Sequence, residues 1–182
     1  MITIKVFGYD KHTINYTVKC MSQRYDISRP FNSDFTQIVE RMGGTLILTD
    51  KYKGEIYVEL LGPNNFNLYV PLNIHMQNLY VKNWRLAEAI AFLAYDLNYC
   101  ADKRKFKKNP FYMPILCQKN DNTSYFVKTL FMPNDLFVRL CKKFKTKNGF
   151  KIDKIANYFN IADKNQVKKH IEELCVDVLV EA

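Results

Sequence analysis

The chain has 182 residues, a length typical of one domain or of a domain with a small appendage. Hydrophobic residues make up 48% and charged residues 25%, with only six glycines and six prolines, which excludes wholesale disorder and low-complexity repeats. The formal net charge is +9, and residues 101–151 alone hold thirteen basic and three acidic side chains. This concentration predicts a polyanionic partner, with a solvated lysine-rich face as the alternative.

The cysteines and the N-terminus predict a cytoplasmic protein, in its own cell or in a host. Five widely spaced cysteines without a C-x-x-C pair are typical of free thiols in a reducing compartment. The N-terminus alternates polar and apolar residues and has no apolar core of a signal peptide. The longest apolar stretch, residues 86–97, contains Glu88 and Asp96 and is too short to span a bilayer.

The first twenty residues predict a β-hairpin. Residues 2–7 and 13–20 alternate polar and apolar side chains as half-buried strands do. Residues 8–12 between them begin with Gly8, which suits a tight connection. Because an isolated two-stranded hairpin is marginal in water, we expect it to dock on the rest of the chain or on a partner.

The remaining pattern predicts an α+β fold, in which the hairpin and a small antiparallel sheet pack on a helical C-terminal half. In chain order we expect a helix from a Ser33 cap to Gly43-Gly44, followed by strands over residues 45–49, 55–60 and 66–70. A mostly buried helix over 79–97 comes next, and then a basic loop over 100–122. Helices over 123–131 and 134–143 precede two further helices with a turn at 160–162 and an extended tail. Three parts are predicted: a hairpin over 1–20, an α+β body over 21–150 and a helix-turn-helix-like segment over 151–182.

The order of these elements resembles that of a known family. The chain has no Walker P-loop, no G-x-G-x-x-G, no H-E-x-x-H and no nucleophile elbow. It does carry, in order, Gly43-Gly44, Trp84-Arg85-Leu86-Ala87, Phe126 with Leu130-Phe131-Met132-Pro133, and Ile155-Ala156 with Phe159-Asn160-Ile161. In this succession, residues 38–175 resemble the ImmA/IrrE family of small metallopeptidases from mobile elements.

The departures from that family decide what the resemblance implies. Glu88 stands where the first zinc histidine is expected, Ala89 replaces the catalytic glutamate and Phe92 replaces the second histidine. The later carboxylate ligand falls near Asn120 or Asn122. Zinc needs nitrogen, sulfur or oxygen donors, and a phenylalanine supplies none. The resemblance therefore implies a peptidase-shaped body without peptidase activity, and we expect neither a metal nor another cofactor.

A second resemblance concerns the whole chain. In size, predicted hairpin and basic charge it is similar to phage-type type II-A anti-CRISPR proteins of the kind that cause truncation of the single guide RNA. That resemblance implies an inhibitor of a type II CRISPR effector nuclease that acts through the guide RNA. The implied partners are the nuclease and RNA, with no membrane, and a ribonuclease-like step without metal is one way to shorten the guide.

The residues that fit such chemistry lie in the predicted hairpin and in the basic segments. RNA scission without a metal needs a base, an acid and cations around the phosphorane. The candidate catalytic residues are His12, Lys11, Asp10 and Lys5. The candidate nucleic-acid contacts are Tyr9, Lys19, Lys103, Arg104, Lys105, Lys107, Lys108, Lys142, Lys143 and Lys145. The alternatives are a solvated turn and a helix that ends in cations, and we expect His75 to pack in the core and His170 to be solvated.

Two rival functions belong to other classes. Residues 151–180 resemble a helix-turn-helix whose second helix, residues 163–175, would enter the major groove of DNA. Glu172 and Glu173 beside Lys168 and Lys169 argue against that function. The other rival is a peptidase-shaped protein that relieves a repressor by contact alone.

Overall fold

The structure is a computed structural model that describes residues 10–27, 34–52, 54–62, 65–95 and 114–174. Its α+β class confirms the predicted one. The elements in chain order are α1 (Lys11–Arg24), α2 (Phe35–Arg41), β1 (Gly44–Thr49), β2 (Tyr57–Gly62), β3 (Asn65–Pro71), α3 (Leu72–His75), α4 (Leu79–Tyr95), β4 (Ile115–Leu116), α5 (Asp121–Phe131), α6 (Asn134–Phe144), β5 (Lys145–Thr146), β6 (Gly149–Phe150), α7 (Ile152–Tyr158) and α8 (Lys164–Leu174).

The second strand of the predicted N-terminal hairpin is instead part of helix α1. Ile14, Val18 and Met21 are buried, and their spacing of four and three residues is that of one helix face. Tyr16, which a strand would place beside Ile14 and Val18, is 66% exposed. The hairpin prediction is therefore wrong over residues 13–20, and its other strand, residues 2–7, lies outside the described residues.

The four-stranded sheet is mixed, whereas an antiparallel sheet was predicted. Its order is β1-β3-β2-β4, and β2 is antiparallel to both β3 and β4. β1 does not pair with β2, which follows it in the chain, but pairs in parallel with β3. The chain reverses its direction between β1 and β2 and again between β2 and β3, so β1 and β3 run the same way. At the start of this pairing, a Cβ on Gly44 would lie 2.5 Å from the ring of Phe66, so only glycine permits the close approach.

The core lies between one face of the sheet and the helices. Side chains of β2 and β3 alternate, and Val58, Leu60, Phe66, Leu68 and Val70 are buried. α2 packs on β1 and α4, α4 packs on α5, and α5 packs on α1 and α8. Helix α5 is thus central to the helical half, which explains why eight of its residues are buried.

The other predicted helices and strands that fall in the described residues are confirmed, with ends that differ by at most three residues. The predicted basic loop over 100–122 lies outside the described residues as far as residue 113, and its last part contains β4 and the start of α5. α3, β5 and β6 were not predicted. α2 is capped by Asp34, one residue after the predicted cap. The two-helix ending is present as α7 and α8, with Asn160 at a left-handed φ of 56° in the turn. The predicted extended tail lies outside the described residues. None of the helices in the described ranges has the length and apolar character needed to cross a membrane.

Candidate functional site

Asp10 has a structural role at the start of α1. Its carboxylate accepts a hydrogen bond of 2.7 Å from the backbone N–H of Thr13, which makes it the N-cap of the helix. That backbone hydrogen bond, with a second from the Thr13 side chain, holds the pKa of Asp10 below its usual value. A carboxylate stabilised in this way is a poor general acid, so the capping role accounts for the residue better than proton transfer.

Lys11 is held by two other helices. Its Nζ donates a hydrogen bond of 2.7 Å to the backbone oxygen of Glu173 at the end of α8, and it lies 5.3 Å from the centroid of the Tyr125 ring on α5. The cation therefore sits near the last carbonyls of α8, where positive charge is favourable. Lys11 thus joins the N-terminal helix to the C-terminal one.

A cleft of about 510 Å³ lies between α1 and the junction of α5 with α6. It is lined by both His12 and Lys19, which were also predicted as site residues. Their separation of seven residues places both on the same face of the helix. The cleft is lined by His12, Asn15, Tyr16, Val18, Lys19, Ser22, Gln23, Thr129, Pro133, Asn134 and Asp135. Two of the predicted site residues in the described part of the chain, His12 and Lys19, thus line this cleft.

A polar network on one side of this cleft fixes α1 against α5 and α6. Nδ2 of Asn134 donates hydrogen bonds of 3.0 Å to Oδ1 of Asn15 and 3.0 Å to the hydroxyl of Tyr125. The Tyr125 hydroxyl in turn donates to Oδ1 of Asn15 over 3.2 Å. Because three helices share these bonds, the cleft wall is held in one arrangement.

A second group of predicted residues forms what we call the lysine surface, at the end of α6 and beyond. Lys142, Lys143 and Lys145 were predicted as nucleic-acid contacts, and all three are exposed. Pairing of β5 with β6 turns the chain back on itself, and the Lys151 N–H donates to the Phe144 carbonyl over 3.1 Å. The lysine surface comprises the six exposed residues Lys142, Lys143, Lys145, Lys147, Lys151 and Lys154.

Phe144 lies at the centre of the lysine surface. The Nζ atoms of Lys143 and Lys154 lie 5.7 Å and 5.8 Å from the centroid of its ring. Residues 142–151 contain five lysines and no acidic residue. The fold thus gathers cations from α6, the β5–β6 turn and α7 into one positively charged area.

Several predicted site residues lie outside the described residues. These are Lys5, Tyr9, Lys103, Arg104, Lys105, Lys107 and Lys108.

Glu88, Ala89, Phe92 and Asn120 were compared above with the zinc ligands and catalytic glutamate of the ImmA/IrrE family, and in the structure they have other roles. Glu88 accepts a hydrogen bond of 2.8 Å from Arg85 and lies 3.2 Å from Lys119. Ala89 and Phe92 are buried. Asn120 caps α5. In the described part of the chain, no group of three or more histidine, cysteine, aspartate or glutamate side chains is placed to hold a metal ion.

His170 was predicted to be solvated, and that prediction is wrong, because the residue is completely buried. Its Nε2 lies 3.0 Å from the carbonyl oxygen of Met132, and its Nδ1 lies 3.7 Å from Oε2 of Glu173. Burial lowers the pKa of the imidazole. The sequence did hold a signal, since His170 follows the buried Val167 by three residues and so shares its helix face. His75, predicted to be in the core, is half-buried.

Comparison with known proteins finds no matching family model, no matching curated sequence and no matching solved structure.

Proposed function

We propose that the protein inhibits a type II CRISPR effector nuclease in the bacterial cytosol by acting on its guide RNA. Two observations support this proposal: the resemblance in size and charge to guide-truncating inhibitors, and an exposed cationic area of the kind that RNA backbones require. The lysine surface is the part of the chain to which we assign the RNA contact.

The arrangement around Phe144 carries the proposal. Lys143 and Lys154 approach the same ring from different helices, with their Nζ atoms 5.7 Å and 5.8 Å from its centroid. Asp153, the acidic residue next to Lys154, is paired with Lys164 at 2.6 Å. Lysine ammonium groups displace the counterions condensed on a nucleic acid, and this release supplies most of the sequence-independent affinity. Phe144 itself is half-buried and packs against the core, so the RNA contact is assigned to the exposed lysines around it.

Helix α1 changes the assignment of the chemistry. With Asp10 serving as a cap and Lys11 bonded to α8, the catalytic candidates in the described residues reduce to His12, with Lys19 as a cation two turns further along the same helix face. An imidazole can act as a general base on a ribose 2′-hydroxyl, and an ammonium group can stabilise the phosphorane. We assign any metal-independent cleavage of RNA by this chain to those two residues.

The second candidate function is that of a DNA-binding regulator of a mobile element. It is favoured by the geometry of α7 and α8, which pack together across a turn closed by a 2.9 Å hydrogen bond from Ile161 N–H to the Ala156 carbonyl. A major-groove helix needs a cationic face, however, and Asp163, Glu172 and Glu173 are on or beside α8. A repressor-binding protein without peptidase activity is the remaining alternative.

A binding and cleavage experiment separates these functions. Guide RNA is incubated with the protein, with and without the nuclease, and run on a denaturing gel, while binding to guide-loaded nuclease and to duplex DNA is measured in parallel. The proposal predicts truncated guide and inhibition, both lost in K143E/K154E. The matched variant K168E/K169E, which reverses two lysines of α8 instead, should retain both activities. Binding to duplex DNA that is lost only in K168E/K169E would identify the regulator instead.

A further inference from the structure

The N-terminus of α6 opens on the cleft without a side chain to cap it. Pro133 occupies the cap position and makes no side-chain hydrogen bond, and Pro133, Asn134 and Asp135 all line the cleft. The first N–H groups of an α-helix have no partner within the helix, and they carry the positive end of its dipole. Helix termini of this kind bind phosphate and carboxylate groups.

A buried hydroxyl in the same cleft points independently to a ligand. Thr129 is only 4% exposed, lines the cleft, and has no hydrogen-bond partner for its Oγ1 among the described residues. A buried polar atom without a partner costs free energy, so a ligand oxygen at this position would relieve that cost. Oδ1 of Asn134 is likewise buried and unpaired, which leaves an acceptor for a ligand hydroxyl or amino group.

The rest of the cleft carries the groups that a nucleotide needs. Lys19 supplies an ammonium group to the cleft, and His12 supplies ring nitrogens that can form hydrogen bonds. Tyr16 is 66% exposed at the rim, so its ring is accessible for stacking on a base. Asp135 is the one acidic side chain among the lining residues, and it opposes an anion.

From these features we propose that the cleft binds a nucleotide through its phosphate group. The phosphate oxygens accept hydrogen bonds from the first turn of α6 and from Oγ1 of Thr129, with Lys19 nearby. The base stacks on Tyr16. The two sources of such a group are a free mononucleotide and the terminal phosphate of an RNA strand. The cleft and the lysine surface lie at opposite ends of α6, but the cleft also holds His12 and Lys19, to which RNA cleavage is assigned above, so this inference deepens the proposed function at that site. The titration below uses neither nuclease nor guide RNA, so a failure to bind nucleotide is distinguishable from a failure to inhibit.

Calorimetric titration of the full chain tests the proposal, with adenosine 5′-monophosphate, adenosine and inorganic phosphate as probes. The monophosphate should bind at least tenfold more tightly than adenosine, and more tightly than phosphate. T129V keeps the side-chain shape and should weaken binding of the monophosphate about tenfold. It should not lower the melting temperature, because the hydroxyl has no partner to lose. D135N should strengthen binding.

The control variant is T45V, which removes an exposed hydroxyl on β1 and should leave binding unchanged. Titration with a trinucleotide, with and without a 5′-phosphate, identifies which source supplies the phosphate. Tighter binding of the phosphorylated trinucleotide than of the mononucleotide would identify the end of an RNA strand. Equal affinity for the monophosphate and adenosine, or unchanged binding in T129V, would overturn the proposal. Phosphate binding as tight as that of the monophosphate would overturn the assignment to a nucleotide.

Discussion

Lys128 of α5 forms an ion pair with Glu173 of α8 in which only 2% of the lysine side chain is exposed. Glu173 is 31% exposed and also lies 3.7 Å from Nδ1 of the buried His170. A buried ammonium group depends on its counter-charge, because water cannot reach it. The pair therefore fixes the last helix of the described chain onto the helix at the centre of the fold.

Removing the acid should destabilise the protein more than removing the base. E173Q leaves the buried Lys128 without a counter-charge and should lower the free energy of unfolding by about 3 kcal/mol. K128M leaves a carboxylate that still reaches water, so its cost should be smaller. Urea denaturation measures both values. E172Q, at the exposed neighbouring position, is the control and should change stability by less than about 0.5 kcal/mol. Equal losses in E173Q and K128M would contradict this description of the pair.

Stability should decrease as the pH falls below the ordinary pKa of histidine. Burial lowers the pKa of His170, so the unfolded chain, with its ordinary value of 6.5, binds a proton more readily than the folded one. The unfolded state therefore gains protons first, and folding weakens as the pH falls from 7.5 to 5.5. The slope contributed by this one group approaches about 1.4 kcal/mol per pH unit. H170Q keeps a donor for the Met132 carbonyl and should show a shallower slope; an unchanged slope would exclude His170 as the source.

Glu173 should add to this loss at more acidic pH. Burial raises the pKa of its carboxyl, but the nearby His170 and the hydrogen bond from Lys128 outweigh burial and bring the pKa below the ordinary 4.5. Stability linked to Glu173 is therefore present above 4.5 and lost as the pH falls further. Comparing E173Q with the wild type between pH 5 and pH 3 isolates this contribution, which should be absent from the variant.

Substitutions of Asp10, the N-cap of α1, test whether residues 11–24 form a helix rather than part of a hairpin. D10A removes the acceptor for the Thr13 N–H and should lower the melting temperature. D10N and D10S retain a capping oxygen and should melt close to the wild type. The same three variants also test catalysis, because a capping role predicts that D10N keeps the inhibitory activity. Loss of activity in a D10N protein of normal stability would restore Asp10 as a functional residue.

RNA binding should depend on salt in proportion to the lysines involved. For single-stranded RNA, each neutralised phosphate contributes about 0.7 to the slope of log affinity against log salt concentration. K143Q/K154Q should therefore reduce that slope by about 1.4, whereas K168Q/K169Q should leave it unchanged. Fluorescence anisotropy titrations at salt concentrations from about 50 to about 300 mM give the slope for each variant. A slope that K143Q/K154Q does not alter would show that RNA does not contact the lysine surface.

The N-terminus shows why the pattern of a short segment can mislead. Ile14, Tyr16 and Val18 fit a strand with period two, and Ile14, Val18 and Met21 fit a helix equally well. Among these apolar positions, the exposure of Tyr16 distinguishes helix from strand, and that exposure depends on the distant helices that cover α1. The decisive local signal was Asp10 three residues before Thr13, an arrangement typical of a helix start.

Local sequence patterns predicted some other elements of the fold but could not predict contacts between distant parts of the chain. The long helix α4 and the sequence-adjacent strands β2 and β3 follow from local periodicity and turn residues. The parallel pairing of β1 with β3 depends on which strand edge is free, which no local pattern records. The cleft joins α1 to residues more than a hundred positions away, so the sequence placed His12 and Lys19 among the candidate site residues but gave no sign that Thr129 and Asn134 would lie beside them.

The hydrogen bonds of Asn15 have a consequence for synthesis in the cell. Its partners Tyr125 and Asn134 follow it by 110 and 119 residues. A ribosome that adds 5–20 residues per second takes roughly 5–20 s to make that stretch. The same interval separates the emergence of α1 from that of the helix residues that cover Ile14, Val18 and Met21. The apolar side chains of residues 11–24 are therefore uncovered for seconds during synthesis, and until α5 and α6 appear this segment lacks the packing that stabilises it as a helix.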